Sequence, residues 1–225
     1  MNFDTRRRFG CNGTLKILVE KVSEDFLTTL AQRYQSRRPC LIATGYRGEC
    51  GSRIVSDDAP LFDGELRQLI EPAPQLLIVG EGPDSAALRS IAATLGWSVQ
   101  SVENAADLDS PFDEWTVAVV KTHNYGRDFA ALRTLLPLDL RYVGLMGPRS
   151  RREQLLGDLL DTGIEPGPNL FAPAGLDLGG DSPESIALAI VAEIQSVFGG
   201  GSRQSLRERR TPIHAPRSEP TAAPR

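Results

Sequence analysis

The alternation of short apolar segments with helical patterns from residue 75 onward constrains the fold more than any other feature. Gln75–Val79, Trp115–Val120 and Tyr142–Met146 are largely apolar, which is typical of strands buried on both faces. Apolar residues at helical spacing lie between these segments and after them. Buried strands that alternate with helices predict an α/β fold, with a parallel sheet over 75–198 and helices on both of its faces.

Two helix starts in this region carry capping signals. Ser150 with Glu153 three residues later forms a capping-box pattern, which predicts that a helix begins there. Ser182 followed by Pro183 fits an N-cap with proline at the first helical position, so we expect the last helix to begin at that point.

Residues 1–70 form a smaller unit with a different pattern. Pro72 and Pro74 favour extended backbone and end any preceding element, so we place a boundary there. A unit of this size with few core positions is marginally stable alone, and we expect a small α/β unit that packs on the larger domain or on a second chain. Its predicted elements are strands at Leu15–Val19, Cys40–Ala43 and Arg53–Val55 and a helix through Phe26, Leu27, Leu30 and Tyr34.

Residues 199–225 differ in composition from the rest of the chain. They are rich in Gly, Ser, Pro and Arg and poor in large apolar residues, and such a segment cannot bury enough surface to offset the entropy of ordering. We therefore predict a disordered basic tail. Residues 203–225 contain six arginines and two glutamates, so the tail either contacts an acidic partner or RNA or is a passive solvated segment.

Charge and composition exclude several classes of protein. The formal net charge of −4 argues against a nucleic-acid binder held by a global basic field. No apolar run approaches the ~18 residues of a membrane-spanning helix, and the charged start lacks the apolar segment of a secretory signal. Cys11, Cys40 and Cys50 form no CxxC pair, which argues against a disulfide framework and a structural zinc site. We expect a cytoplasmic protein without a nucleic-acid or membrane partner.

A glycine-containing turn follows the first strand of the large domain. Gly80 and Gly82 stand in the pattern G-x-G-x-x-S, and such glycines let backbone N–H groups approach a phosphate at a helix N-terminus. Pro83 removes one donor, and Glu81 and Asp84 add negative charge. A nucleotide site and a tight turn without a ligand therefore both fit.

Glu103 lies at the end of the second predicted strand, 23 positions after Gly80. An acid at this place in a dinucleotide-binding fold accepts a hydrogen bond from a ribose hydroxyl. A surface acid at a strand end is the alternative.

Thr122, His123 and Asn124 follow the Trp115–Val120 strand, at the edge where parallel sheets bind ligands. A histidine there can donate to a phosphate, coordinate a metal or move a proton, or it makes a local hydrogen bond only. Asp128 comes early in the next helix, where a carboxylate also complements the helix dipole.

The segment from Gly144 to Arg152 combines glycine, three arginines and a predicted helix start. Basic residues at a helix N-terminus oppose the helix dipole, which favours an anion-binding site formed by Arg149, Arg151 and Arg152 over the alternative of solvated surface arginines. A further loop, Pro173–Gly180, is punctuated by glycine and carries Asp177. That loop is either a wall of the site or a crossover connection.

Taken together, these segments resemble the xanthine dehydrogenase accessory factor family (XdhC/CoxI). The resemblance covers residues 75–198 densely and residues 1–70 more loosely. It rests on four blocks in the order and spacing of the family: VGEGPDSAALRSIAATLGW, VVKTHNYGRDFAAL, RYVGLMGPRSRREQLL and APAGLDLGGDSPESIALAIVAEI.

The resemblance implies a Rossmann-like domain in a protein that assists the maturation of molybdenum hydroxylases. Such a protein binds molybdenum cofactor (molybdopterin), assists its sulfuration and delivers it to the apo-enzyme, with a cysteine desulfurase as a further candidate partner. We expect a homodimeric insertion factor without catalytic or metal-ligating residues. Together with Glu103, the cofactor-binding candidates that match the family are Gly80, Gly82, Thr122, His123, Asp128, Gly144, Gly147, Arg149, Arg152, Gly175 and Asp177.

The chain departs from the family pattern at three places. The family has Asp-x-Arg after the second strand, whereas Glu103-Asn104-Ala105 lacks the arginine. The Cys-Gly-Gly of the family is replaced by Cys11-Asn12-Gly13. The glycine- and cysteine-rich start of the family's first domain has no counterpart, so we interpret residues 1–70 as a remnant of that domain. Either Met1 is not the true start, or this is a reduced member of the family.

Two rival functions remain open on the sequence. The glycine turn and Glu103 favour a Rossmann oxidoreductase that uses NAD or NADP, although no proton donor is evident to pair with His123. The other rival function is an interaction scaffold whose degenerate sites bind no ligand.

Overall fold

The computed structural model describes residues 2–4, 14–48, 50–109, 111–138 and 140–210. The chain divides into two units, Met1–Ala73 and Pro74–Arg225. The division lies in the proline-containing segment at which the sequence predicts a boundary. The sequence features at residues 11–13 and beyond residue 210 lie outside the described residues.

The first unit contains two small antiparallel sheets and a helix. Its elements are β1 Asn2–Asp4, β2 Thr14–Lys16, α1 Glu24–Gln35, β3 Cys40–Gly45, β4 Gly51–Val55 and β5 Glu65–Ile70. β1 pairs with β2, and the other three strands form a sheet in the order β4-β3-β5. The predicted strands at Cys40–Ala43 and Arg53–Val55 are confirmed.

One expectation for this unit needs correction, and one strand has no clear sequence signal. The strand predicted over Leu15–Val19 ends at Lys16, and Ile17 and Val19 are exposed. The sequence does not predict β5, because ELRQLI mixes polar and apolar residues without the regular alternation of a half-buried strand.

Helix α1 forms where its apolar spacing predicts, yet it contributes little to a core. Ser23 caps it by accepting the backbone N–H of Phe26 at 3.2 Å. None of its residues is buried. The buried apolar side chains described in this unit are those of Cys40, Ile42, Ala43 and Pro72, so its core is small.

The second unit is a five-stranded sheet flanked by helices. The strands are all parallel, in the order β10-β9-β8-β6-β7, which confirms the predicted α/β fold with a Rossmann-like sheet. The bounds are β6 Gln75–Val79, α2 Pro83–Thr94, β7 Ser98–Val102, β8 Thr116–Val120, α3 Tyr125–Leu135, β9 Tyr142–Leu145, α4 Arg149–Asp161, β10 Leu170–Phe171 and α5 Pro183–Gly199.

Alternate residues of the central strands belong to two separate cores. In β6, Leu77 and Val79 pack in the core that contains side chains of α3 and α4. Leu76 and Ile78 pack in the core that contains side chains of α2 and α5. Helices therefore cover both faces of the sheet, as predicted. None of the helices within the described ranges is long and apolar enough to cross a membrane.

One of the two predicted helix starts is correct and the other is wrong. α5 begins as expected, and the hydroxyl of Ser182 accepts the backbone N–H of Ser185 at 3.2 Å. α4 begins at Arg149, with Pro148 at the N-cap position and no side-chain cap. Ser150 therefore lies inside the first turn and makes no capping box.

The structure describes the first residues of the predicted tail, through Arg210. α5 runs through Gly199, and Gly200 ends it in the left-handed conformation with φ of 62°. Arg203 Nε then donates to Ser196 Oγ at 2.9 Å, and its guanidinium lies 5.3 Å from the centre of the Phe171 ring. Arg203 therefore contacts the domain, while the residues from 200 to 210 are all exposed, and the disorder of the tail stays a prediction.

A buried carboxylate joins β9 to α5. Glu193 Oε2 accepts from the hydroxyl of Tyr142 and from the backbone N–H of Gly175, both at 2.8 Å. The ring of Tyr142 is fully buried and stacks on Phe171 with 4.4 Å between the ring centres. Burial, followed by the charge of the nearby Glu193, raises the pKa of the Tyr142 hydroxyl far above its ordinary value.

We expect this network to make the domain sensitive to alkali. A tyrosine whose pKa is higher in the folded state contributes stability that is complete below the unfolded pKa of ~10 and is lost as the pH rises above it. The free energy of unfolding should fall by up to about 1.4 kcal/mol per pH unit above that value from this group alone. Tyr142→Phe should flatten the fall, measured by urea denaturation from about pH 9 to about pH 11.

Tyr34→Phe is the control for this prediction, because Tyr34 is 51% exposed. It should leave the alkaline fall in stability unchanged. An equal flattening in both variants would contradict the assignment to Tyr142.

Candidate functional site

The carboxyl ends of the parallel strands lie at one edge of the sheet, and the turns that follow β6, β7 and β8 touch one another there. The backbone N–H of Gly80 donates to the carbonyl of Val102 at 2.8 Å, which joins the turn after β6 to the end of β7. A Cβ added to Gly80 would lie 2.7 Å from the backbone of Thr122, so the same turn also contacts the end of β8. These contacts bring the predicted segments together.

Gly80 is required by packing. Its φ is 100°, a conformation that residues with a side chain rarely adopt, and the backbone of Thr122 leaves no room for a Cβ. The first glycine of the turn therefore serves the close approach of β6 and β8 independently of any ligand.

Gly82, the second glycine of the turn, lies against a buried ion pair. Lys121 follows β8 and is fully buried, and its Nζ donates to Asp84 Oδ1 at 2.8 Å and to Ser85 Oγ at 2.9 Å. A Cβ on Gly82 would lie 3.0 Å from Asp84 Oδ1 and 3.1 Å from Lys121 Nζ. The carboxylate of Asp84 is therefore neutralised from the neighbouring strand.

Glu81, the other acid of this turn, is paired as well. Arg89 of α2 donates to the Glu81 carboxylate at 3.1 Å and to the hydroxyl of Ser101 at 3.1 Å. Both acids that the sequence places at the turn thus have a cationic partner in the same domain.

Asp128 is the centre of a second buried network. Its side chain is fully buried, and Oδ1 accepts from the backbone N–H of Thr122 at 3.1 Å and from the Thr122 hydroxyl at 2.5 Å. Asp128 Oδ2 forms an ion pair with Arg151. Thr122 and Asp128 therefore connect the end of β8 to the starts of α3 and α4. Arg151 has no local sequence signal that distinguishes it from the arginines beside it.

His123 is exposed at the start of the turn between β8 and α3, with a backbone φ of 55°. The cap of α3 is made by its neighbour Asn124, whose Oδ1 accepts the backbone N–H of Arg127 at 3.1 Å. The imidazole forms no hydrogen bond with another residue that the structure describes, so it is accessible to a ligand.

Glu103 lies at the predicted edge, and its carboxylate already has a partner. Arg127 of α3 donates to Glu103 Oε2 at 2.6 Å and also to the Glu103 carbonyl. Arg127 thus brings a guanidinium from α3 to this acid. A ribose hydroxyl would have to share Glu103 with this arginine.

Two arginines in the first turn of α4 have no acidic partner among the residues that the structure describes. Arg149 is exposed and Arg152 is partly buried, and neither forms an ion pair within the ranges that the structure describes. The Nε atom of Arg152 is buried without a hydrogen-bond partner, as are the Nε atoms of the paired Arg127 and Arg151. The other cations at this edge form ion pairs, which are Arg89 with Glu81, Lys121 with Asp84, Arg127 with Glu103 and Arg151 with Asp128.

The remaining candidates have different surroundings. Gly144 lies inside β9 rather than in the turn, and a Cβ there would be 2.7 Å from Cε1 of Tyr142, so it serves packing. Gly147, with φ of 142°, lies in the turn before α4, and Gly175, with φ of 108°, packs against α5. Asp177 is exposed in the loop after β10.

Comparison with known proteins identifies the family of the larger domain. A family model described as the XdhC Rossmann domain matches residues 76–194. The chain is 27% identical over 242 residues to a Bacillus subtilis protein named as a probable subunit of xanthine dehydrogenase, covering 82% of this chain and 69% of that protein. It is 25% identical to an uncharacterized Escherichia coli protein, YqeB, covering 79% of this chain and 36% of that protein.

A solved structure has the same fold. The crystal structure of a xanthine dehydrogenase from Bacillus halodurans matches with a TM-score of 0.67 at 19% identity, covering 78% of this chain and 67% of that chain. At this level of identity the likeness supports the fold alone.

The close approach at Gly80 predicts an unequal cost for two glycine substitutions. Gly80→Ala should destabilise the domain by about 3 kcal/mol, because it combines strain at positive φ with a collision against backbone. Gly96→Ala is the control, since Gly96 has φ of 76° but no atom within 4 Å of an added Cβ, and should cost about 1 kcal/mol. Chemical denaturation measures both, and equal costs would contradict the packing role.

The Asp128 network predicts a contrast between two charged residues at the same edge. Asp128→Ala should destabilise the domain by about 3–5 kcal/mol, because it leaves the largely buried Arg151 without a counter-charge. Arg149→Ala should change stability by less than about 0.5 kcal/mol, since Arg149 is exposed. Thermal denaturation compares them, and similar shifts in Tm would argue against the pairing.

Proposed function

The chain belongs to the XdhC family, and on that premise we propose that it is an accessory protein of xanthine-dehydrogenase-type molybdenum hydroxylases that binds molybdenum cofactor. The family match over residues 76–194 supports the accessory role, as does the Bacillus subtilis relative named as a probable subunit of xanthine dehydrogenase. The proposed ligand site is the carboxyl edge of the sheet.

One observation carries the binding proposal. Four cations at this edge are paired with acids, whereas Arg149 and Arg152 at the start of α4 have no such partner among the residues described. Basic side chains in a first helical turn oppose the helix dipole, and a bound anion removes that cost. Guanidinium groups without an acidic partner among the described residues suit the phosphate of a pterin cofactor, because guanidinium and phosphate form charged, bidentate hydrogen bonds.

The residues of this edge fit such a ligand in distinct ways. Arg149 and Arg152 would hold the phosphate, and the exposed imidazole of His123 offers a further hydrogen bond to the ligand. The Asp128 network keeps the starts of α3 and α4 in place. The cofactor, when bound, supplies the molybdenum centre that the hydroxylase uses, and the role of this chain is to hold it.

The finer steps of maturation are part of the proposal. The chain would assist sulfuration of the cofactor together with a cysteine desulfurase and deliver the product to a hydroxylase apo-enzyme. We also propose a homodimer, which is supported by large apolar side chains exposed in the first unit. These include Val19, Leu61, Phe62 and Leu66, each more than half exposed.

A dinucleotide-dependent oxidoreductase is the rival function. The parallel sheet and the position of Glu103 favour it. The carboxylate of Glu103 is bound by Arg127, however, and an ion pair lies against the second glycine of the turn. Cofactor binding through α4 therefore has the stronger support.

The proposal predicts the behaviour of an arginine double variant. Arg149→Ala with Arg152→Ala should weaken retention of the pterin cofactor by at least about 100-fold, since each of the two charged hydrogen bonds contributes about 1.5–3 kcal/mol. Retention is measured as the pterin fluorescence that remains with the protein after gel filtration. His123→Ala should have a smaller effect in the same direction.

Arg133→Ala is the matched control, because Arg133 is an exposed arginine in the last turn of α3. It should retain the cofactor as the unsubstituted protein does. Full retention by the double variant, or oxidation of NADH or NADPH that depends on an added substrate, would overturn the proposal.

A further inference from the structure

Lys121 is a buried ammonium group that the proposed ligand site does not use. Its backbone N–H donates to the carbonyl of Val79 at 2.9 Å, which extends the pairing of β6 and β8 by one residue. Its side chain is fully buried against the first turn of α2. A buried charge of this kind requires a counter-charge and hydrogen-bond acceptors, and Asp84 and Ser85 supply them.

The start of α2 makes the counter-charge necessary. The first turn of a helix carries the positive end of the helix dipole, which repels a cation. Lys121 lies against that turn, so removal of Asp84 would leave two positive potentials side by side. Asp84 interacts favourably with both the helix and the lysine, and its side chain is 14% exposed.

The ion pair lies where a dinucleotide would need space. In dinucleotide-binding turns the second glycine lets the backbone approach the pyrophosphate closely. In this chain the atoms nearest to the missing Cβ of Gly82 are Asp84 Oδ1 at 3.0 Å and Lys121 Nζ at 3.1 Å. Pro83 has removed one N–H donor from the same turn. The absent side chain of Gly82 thus makes room for the ion pair.

We propose that the carboxylate of Asp84 occupies the place in the glycine turn where the diphosphate of a dinucleotide would bind. The carboxylate thereby excludes dinucleotides and determines the ligand specificity of this domain. The turn is also neutral as a whole, because Glu81 is paired with Arg89. A diphosphate would add negative charge beside two carboxylates and displace the partner of a buried lysine. The proposal concerns the edge used in the proposed function but holds whichever ligand binds at α4.

The proposal makes Lys121 a latent anion-binding group. Once Asp84 is removed, the buried ammonium lacks a counter-charge, and an anion from solution can take the vacated place. Gain of binding in a variant is therefore the diagnostic result, because a merely structural ion pair would lose stability without gaining a ligand.

The experiment measures the binding of ADP-ribose to the full chain by isothermal titration calorimetry. ADP-ribose carries the diphosphate without a nicotinamide ring. Asp84→Ala should bind it at least about tenfold more tightly than the unsubstituted protein does. Inorganic phosphate should likewise raise the Tm of Asp84→Ala more than that of the unsubstituted protein. The control is Lys121→Met with Asp84→Ala, which removes the cation together with the acid and should show neither gain.

Two results would overturn the proposal. One is equal affinity of the unsubstituted protein and Asp84→Ala for ADP-ribose. The other is an equal gain in the double variant, which would mean that Lys121 does not bind the anion. The titrations are repeated in an Arg149→Ala/Arg152→Ala background, so that binding at α4 is separated from binding at the glycine turn. Loss of pterin retention there tests the proposed function independently.

A measurement on the unsubstituted protein covers the case in which Asp84→Ala does not fold. The backbone amide resonances of Gly80 and Gly82 are followed by NMR during a titration with ADP-ribose. Their chemical shifts should remain unchanged up to about 1 mM ADP-ribose, because a dissociation constant above that concentration corresponds to weak binding. Saturable shifts of these two amides below that concentration would show that the turn accepts a diphosphate and would overturn the proposal.

Discussion

Burial of the two central strands on both faces is the constraint on which the larger domain depends. Every residue from Leu76 to Val79 in β6 and from Val117 to Val120 in β8 is fully buried. Strands of this kind need apolar cover on each side, and helices on both faces provide it. The strands run parallel, so their carboxyl ends share one edge, and the turns after them come into contact there.

Charge pairing gives that edge its rigidity. Lys121 with Asp84 links β8 to α2, Arg151 with Asp128 links α4 to α3, and Arg127 with Glu103 links α3 to the end of β7. Two of these pairs contain a fully buried group, for which a missing partner costs more than an intact pair contributes. The pairs therefore connect the turns, and among the described residues of this edge Arg149 and Arg152 at the start of α4 remain without an acidic partner.

The candidate site shows which kind of residue the sequence identifies. Arg149, Arg152 and His123 were predicted from residue type and position after a strand, and they lie at the expected edge without partners among the described residues. Thr122 and Asp128 were predicted from the family pattern, and the structure gives them an internal network. Lys121 and Arg151 were not identified as site residues, because their partners lie far along the chain.

The sequence by itself determined the alternation of strands and helices in the larger domain, because apolar periodicity and turn residues are local properties. It also determined which polar residues follow each strand. The tertiary structure alone decided which of these groups neutralise one another. On the sequence alone, the carboxylates of Asp84 and Asp128 could each have faced a ligand. In the structure, each carboxylate instead pairs with a cation from another element. A charge pair depends on two atoms meeting within about 4 Å in space, and no spacing along the chain encodes that distance.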